Sequence, residues 1–358
     1  MKKIFKLLSI AIFAGAILMS CEGPEGPPGE NGIDASAECM VCHDAGTAYA
    51  AKVDQFNESA HSHGTYFSRQ GDCSGCHSTE GFLARMDFTS VDEMFDLALT
   101  DQSAIGCKTC HNVHLAYDET DWSLTFTDQV TETILGTMSP LVASSSFVDK
   151  GSNNMCLQCH QSRDPENVPS ITSTDDVGIS HFWGPHHGVQ GSISQSQGGV
   201  HIVGTSYPTG PFNPSTGFDH TCINCHMNNG DHSLAVDESA CIQCHSDIED
   251  KLADIQDEVE TKLDILGKTL AGLGALTPDT ESEWVWDDGL GEHIEIIDTV
   301  GYHAAGSGYG GYSPLDVPAD HARAVFNYLI VAEDQSLGVH NPDYINALLD
   351  NTITSLAK

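Results

Sequence analysis

The chain has 358 residues and carries 51 Asp plus Glu against 14 Lys plus Arg, a net charge of −37 at pH 7. That balance excludes nucleic acid and anionic membrane surfaces as electrostatic partners, favours a basic protein or a cationic surface, and keeps the chain soluble. Thirteen cysteines and 19 histidines direct attention to metal or cofactor chemistry.

In chain order, MKKIFK is a basic start and LLSIAIFAGAILMS is an apolar run ending at Ser20. Residues 1–20 read as a secretory signal, the run being short for a membrane-spanning helix. Leu18-Met-Ser-Cys21 resembles the bacterial lipoprotein cleavage box. That resemblance implies a lipid on Cys21 and an exported protein anchored to the outer membrane, on its periplasmic or cell-surface face. The alternative, plain secretion, leaves a reactive free thiol in an oxidising compartment. Loss of Lys2, Lys3 and Lys6 with the signal makes the charge still more negative. Residues 21–36 follow as a Gly/Pro-rich tether, with Gly23, Gly26, Gly29 and Gly32 spaced by three in an extended, flexible segment.

Residues 37–245 hold six copies of C-x-x-C-H: Cys39–His43, Cys73–His77, Cys107–His111, Cys156–His160, Cys222–His226 and Cys241–His245. The second cysteines are Cys42, Cys76, Cys110, Cys159, Cys225 and Cys244, so Cys21 alone is left over. Paired C-x-x-C units also build zinc ribbons, but those do not require histidine after every second cysteine. A thioredoxin-like site uses one such unit, and a disulfide framework has no reason to repeat the pentapeptide. C-x-x-C-H is the attachment sequence of c-type haem, and six covalently attached haems are expected. The two thiols, a helical turn apart, add to the haem vinyl groups, and the histidine reaches the iron. The first two intervals between motifs are both 34 residues and the rest are irregular, which argues against a regular solenoid. Short helices at each motif, much coil and a small strand at Trp122–Phe126 are expected.

Residues 246–358 contain no cysteine. Leu252, Ile255, Val259, Leu263, Leu266 and Leu270 step by three or four, which predicts a long amphipathic helix ending near the glycines and Pro278. A second helix is expected over Ala319–Ala332. A third starts at Asn341-Pro342, a good N-cap and first-turn pair. The fold expected is mainly α with extensive coil, a multihaem c-type cytochrome built around a packed haem chain with a C-terminal helical hairpin.

Six of the 19 histidines, His43, His77, His111, His160, His226 and His245, are proximal ligands on this reading, leaving thirteen for the opposite faces. The methionines lie mostly in or beside motifs or in apolar runs, so histidine on both sides is favoured, a coordination suited to electron transfer. Several stretches resemble the multihaem cytochrome c superfamily of nitrite reductases, hydroxylamine oxidoreductases and related electron carriers. They are Glu58–His61 with Gly71–His77, Gly184-Pro-His-His187-Gly-Val-Gln190, Cys222–Met227 with His232 and Cys241–His245, and Gly338-Val-His340-Asn-Pro342. The resemblance implies distal ligands. His61 would serve the haem at Cys156/Cys159, His232 that at Cys107/Cys110, His340 that at Cys222/Cys225, and His220 that at Cys241/Cys244. His114 and one of His186 and His187, taken as His187, would serve the first two haems. His63, His181, His201, His293, His303 and His321 are read as non-ligands.

The departures from those enzymes point away from catalysis. Nitrite reductases of the superfamily carry C-x-x-C-K at the catalytic haem, whereas His77 stands there. The crosslinking tyrosine of hydroxylamine oxidoreductases has no counterpart, and Tyr302, Tyr309 and Tyr312 lie in a Gly-rich stretch that reads as a loop. The leading expectation is an electron carrier passing electrons to an outer-membrane or extracellular acceptor, with redox proteins or other cytochromes as partners. A reductase of a small nitrogen or sulfur oxyanion at one open haem, and a homo-oligomer or cytochrome filament, are the alternatives.

Overall fold

A computed structural model describes residues 39–40, 43, 48–64, 67–68, 73–86, 99–130, 146–163, 167–211, 221–242, 245–287, 292–306 and 313–358. The expected signal, the tether, Cys21, Cys42, Cys244 and His220 lie outside the described residues. The chain divides into two compact units, 1–52 and 53–358. In the first, the His43 ring stands edge-on to Tyr49 at 5.2 Å. No described helix is long and apolar enough to cross a membrane.

The motif region is built of short helices: α1 (Ala48–Asn57), α2 (Ser74–His77), α3 (Thr79–Met86), α4 (Cys107–Cys110), α5 (Asn154–Leu157), α6 (Gln190–Ser194) and α7 (Cys222–His226). Coil and single 3₁₀ turns connect them. The strand expected at Trp122–Phe126 is instead a 3₁₀ turn over Glu119–Trp122 followed by one bridge, His111 to Leu124. Thr120 N–H donates to the Asp118 side chain and caps that turn, so the chain coils just where alternation in the sequence suggested extension. Between these helices, β1 (Val177–Ile179) pairs antiparallel with β4 (Leu315–Val317), joining residue 177 to residue 317.

The tail has three helices, α8 (Ile248–Gly272), α9 (Ala319–Asp334) and α10 (Pro342–Leu356). On α8 the leucine repeat is the buried face: Val259, Leu263, Leu266 and Leu270 are covered while the intervening acids face out. The helix stops at Gly272, and Gly274, at φ +73°, turns the chain. Next comes an unexpected antiparallel hairpin, β2 (Leu276–Asp287) with β3 (Glu292–Ala304), whose register starts at Leu276 opposite Ala304. Tyr302, expected in a loop, lies in β3, and its ring packs so close to Gly267 that a Cβ there would be 2.7 Å from it.

α9 is buried on nearly every side, from Ala322 and Val325 to Phe326 and Ile330, as befits a helix with apolar residues all round. Asn341 caps α10, its side chain accepting from Tyr344 N–H at 3.1 Å. All three helices contribute to one apolar core, which also takes in Val177, Ile179, Trp183, Val189, Ile193, Val200 and Ile202 of the motif region.

Candidate functional site

In the motifs at Cys107, Cys156 and Cys241 one turn joins the first cysteine to the histidine. His111 N–H donates to Cys107 C=O at 2.9 Å, His160 N–H to Cys156 C=O at 3.0 Å and His245 N–H to Cys241 C=O at 2.9 Å. In the motifs at Cys107 and Cys156, whose second cysteines are also described, one helical turn therefore aligns the two cysteines and starts the histidine off beside them.

The motif histidines face partners distant in sequence. Ring centroids are 6.0 Å apart for His61 and His160, 6.1 Å for His77 and His186, 6.1 Å for His111 and His232, and 6.3 Å for His226 and His340. Metal–imidazole bonds run at about 2.0–2.1 Å, so two rings on opposite faces of one metal have centroids about 6.3 Å apart. All four pairs match that span, and each has a C-x-x-C unit attached. The spacing fits an iron held between two imidazoles, and the motif cysteines are the residues that would bind a haem there. Burial, assisted by His160, holds His61 down at about 4, and burial followed by the Arg163 charge holds His186 at about 4. Both rings are neutral near pH 7, the form that coordinates a metal.

The second ring nitrogens are held too. His111 Nδ1 lies 2.7 Å from Trp122 O, His160 Nδ1 2.9 Å from Gln190 Oε1, His226 Nδ1 2.9 Å from Leu234 O and His232 Nδ1 2.9 Å from Gly230 O. His340 Nδ1 lies 2.7 Å from Asp334 Oδ1. Such partners fix the tautomer and aim the other nitrogen at the metal.

The motifs also touch one another. The Cys76 and Cys159 side chains are near enough to perturb each other's thiols, and so are those of Cys156 and Cys222. Cys110 is close enough to act electrostatically on both Cys156 and Cys159. The fourth motif therefore stands among the second, third and fifth. Arg85 threads this junction: it is buried, donates through Nη1 to Cys76 Sγ at 3.3 Å and through Nη2 to Gln158 Oε1 at 3.1 Å, and lies over the Phe82 ring.

His61, His232 and His340 stand opposite the motif histidines that the sequence reading assigned to them. At the second motif the ring facing His77 is His186, not His187. His187 is exposed, and its Nδ1 lies 2.5 Å from Glu333 Oε2, which turns it to the surface. His114 is exposed, with its ring stacked on Tyr117 at 5.5 Å and its backbone N–H donated to Asp121 at 2.8 Å. Of the histidines read as non-ligands, His181 and His303 pack together with rings 4.1 Å apart, His303 on Asp279, and His201 stacks on Tyr207. Gln190 and Asp334 were not singled out as functional from sequence. Gln190 closes the Gly184–Gln190 stretch and carried a weak signal there; Asp334 carried none.

No known protein family and no curated protein matches the chain. Two solved structures are similar to it. Outer cell wall cytochrome OcwA shares 18% identity over 85% of this chain and 50% of its own, with a TM-score of 0.42. The undecahaem cytochrome from the S-layer of Carboxydothermus ferrireducens shares 18% identity over 87% of this chain and 42% of its own, with a TM-score of 0.39. The chain thus spans half or less of the length of either.

Proposed function

We propose that the chain is a multihaem c-type cytochrome that carries electrons between redox partners outside the cytoplasm. The observation that carries this reading is the set of four histidine pairs at 6.0–6.3 Å, each with one member from a C-x-x-C-H motif. When bound, haem c supplies reversible one-electron chemistry at its iron. The paired cysteines would hold each group through thioether bonds, and the paired histidines would ligate its iron and keep other ligands away. The motif contacts support a branched arrangement, with the group at Cys156/Cys159 beside those at Cys73/Cys76, Cys107/Cys110 and Cys222/Cys225. His186 opposite His77 supports a closed rather than a substrate-binding iron at the second motif.

Six haems, lipid on Cys21, an outer-membrane anchor and an electropositive or cytochrome partner complete the proposal, as does iron ligation by His43, His245, His114 and His220. Intact mass of the purified protein tests the cofactor reading: six covalent haems are expected, and their absence would end it. Addition of CO to the reduced protein tests the closed chain. No CO spectrum is expected, and stoichiometric binding at one haem would favour a reductase instead.

A further inference from the structure

We propose that Asp334 is a positioning residue that sets the electron affinity at one centre: its carboxylate holds the Nδ1–H of His340 and lowers the potential of the iron placed between His226 and His340. This rests on the haem reading above.

Four observations converge on Asp334. Its side chain is fully buried, with 0% exposure, so its charge is poorly screened and acts at short range. Its Oδ1 lies 2.7 Å from His340 Nδ1, and its Oδ2 accepts the Ser336 hydroxyl. It is the last residue of α9, where the unpaired carbonyls of a helix end add negative potential. Finally, the nitrogens of His111, His160, His226 and His232 meet neutral oxygens, from backbone carbonyls or the Gln190 amide. A carboxylate pulls harder on an N–H than an amide does. The imidazole it holds becomes the more basic ligand, and a more basic ligand favours the oxidised iron. Asp334 thus distinguishes one centre from its neighbours.

The same helix end reaches a second centre. Gln190 Nε2 donates to Glu333 O and Asp334 O, each at 3.3 Å, and Gln190 Oε1 takes His160. The C-terminus of α9 therefore orients a histidine of two different pairs, His160 and His340, but places the full charge against only one of them.

The test is a spectropotentiometric titration of holoprotein at fixed pH, with haem content checked by mass and spin state by EPR. Asp334→Asn keeps the shape and removes the charge. One midpoint is expected to rise with the others unmoved and every haem low-spin. Ser336→Ala leaves the carboxylate less satisfied and a stronger acceptor, so the same midpoint is expected to fall. Opposite shifts from two neighbouring substitutions are not what simple loosening of the loop would produce. If Asp334→Asn leaves all midpoints in place, or yields a high-spin haem, the tuning role is overturned. If that variant does not fold, Ser336→Ala decides: a fall supports the proposal and an unmoved midpoint overturns it. Wild-type protein without covalent haem would instead overturn the reading beneath it.

Discussion

His186 and His187 are neighbours in sequence and differ in what they face. His186 has φ +65°, between Gly184 at φ +154° and Gly188 at φ +88°, conformations that glycine adopts at little cost. Those glycines let the loop present one imidazole to His77 while the next turns to Glu333. His186→Ala is therefore expected to open one iron, giving a high-spin EPR signal and CO binding by a single haem, whereas His187→Ala leaves all haems low-spin. The ring angles give a second expectation. His61/His160 and His77/His186 cross at 71° and 72°, whereas His111/His232 and His226/His340 lie at 29°. Crossed imidazoles donate to two different iron d orbitals and leave them nearly degenerate, while near-parallel rings split them. The oxidised protein should then show both highly anisotropic and rhombic low-spin EPR signals; a single uniform type would contradict the described pairs. His114 stays a proposed ligand, and His114→Ala should convert one haem to high spin. Residue identity could not separate His186 from His187, because both satisfy the motif and only the path of the loop distinguishes them.

At the level of elements, the tail helices were legible because their patterns are long. Six apolar positions along α8 and the Asn341-Pro342 start of α10 are local signals, and each helix formed close to its expected bounds. The β2–β3 hairpin was not legible: a stretch rich in acids and glycine reads as loop, and strands are defined by their partners. A buried polar knot ties these elements to the motif region. Asn327 accepts Val200 N–H at 2.7 Å and donates to Val200 C=O and to Thr352 Oγ1, both at 2.9 Å. Asn327→Leu strands the buried Val200 amide and carbonyl, and its cost is expected to be about 2–3 kcal/mol, readable as a lower denaturation midpoint of holoprotein with its visible spectrum unchanged.

Among the described residues a small apolar cluster of Val130, Phe147 and Leu157 lies in the motif region, and the larger core mixes residues 177–202 with residues 259–349 and contains no motif cysteine or motif histidine. That core does not need cofactor to exclude water, whereas the short motif helices bury little of their own. Protein expressed without haem attachment should therefore keep slow hydrogen exchange in α9 and α10 and lose it around Cys107–Cys110 and Cys222–His226; uniform loss would show that the core too depends on the cofactor. Charge acts at this scale as well. With a balance of −37, electron transfer to a basic acceptor should slow as salt rises and the screening length falls from about 30 Å at 0.01 M to about 8 Å at 0.15 M. A rate insensitive to salt would rule out electrostatic docking.

The sequence by itself determined the local form of the motifs, because C-x-x-C-H is a local code: two thiols and an imidazole brought together by a single helical turn. It also determined the periodic helices and the acidic surface. Which distant histidine meets which motif, which motifs adjoin, and why one of those histidines rests on a carboxylate were decided by tertiary structure. The paired histidines lie about a hundred residues apart in the chain, as with His77 and His186, and only tertiary packing brings them within reach.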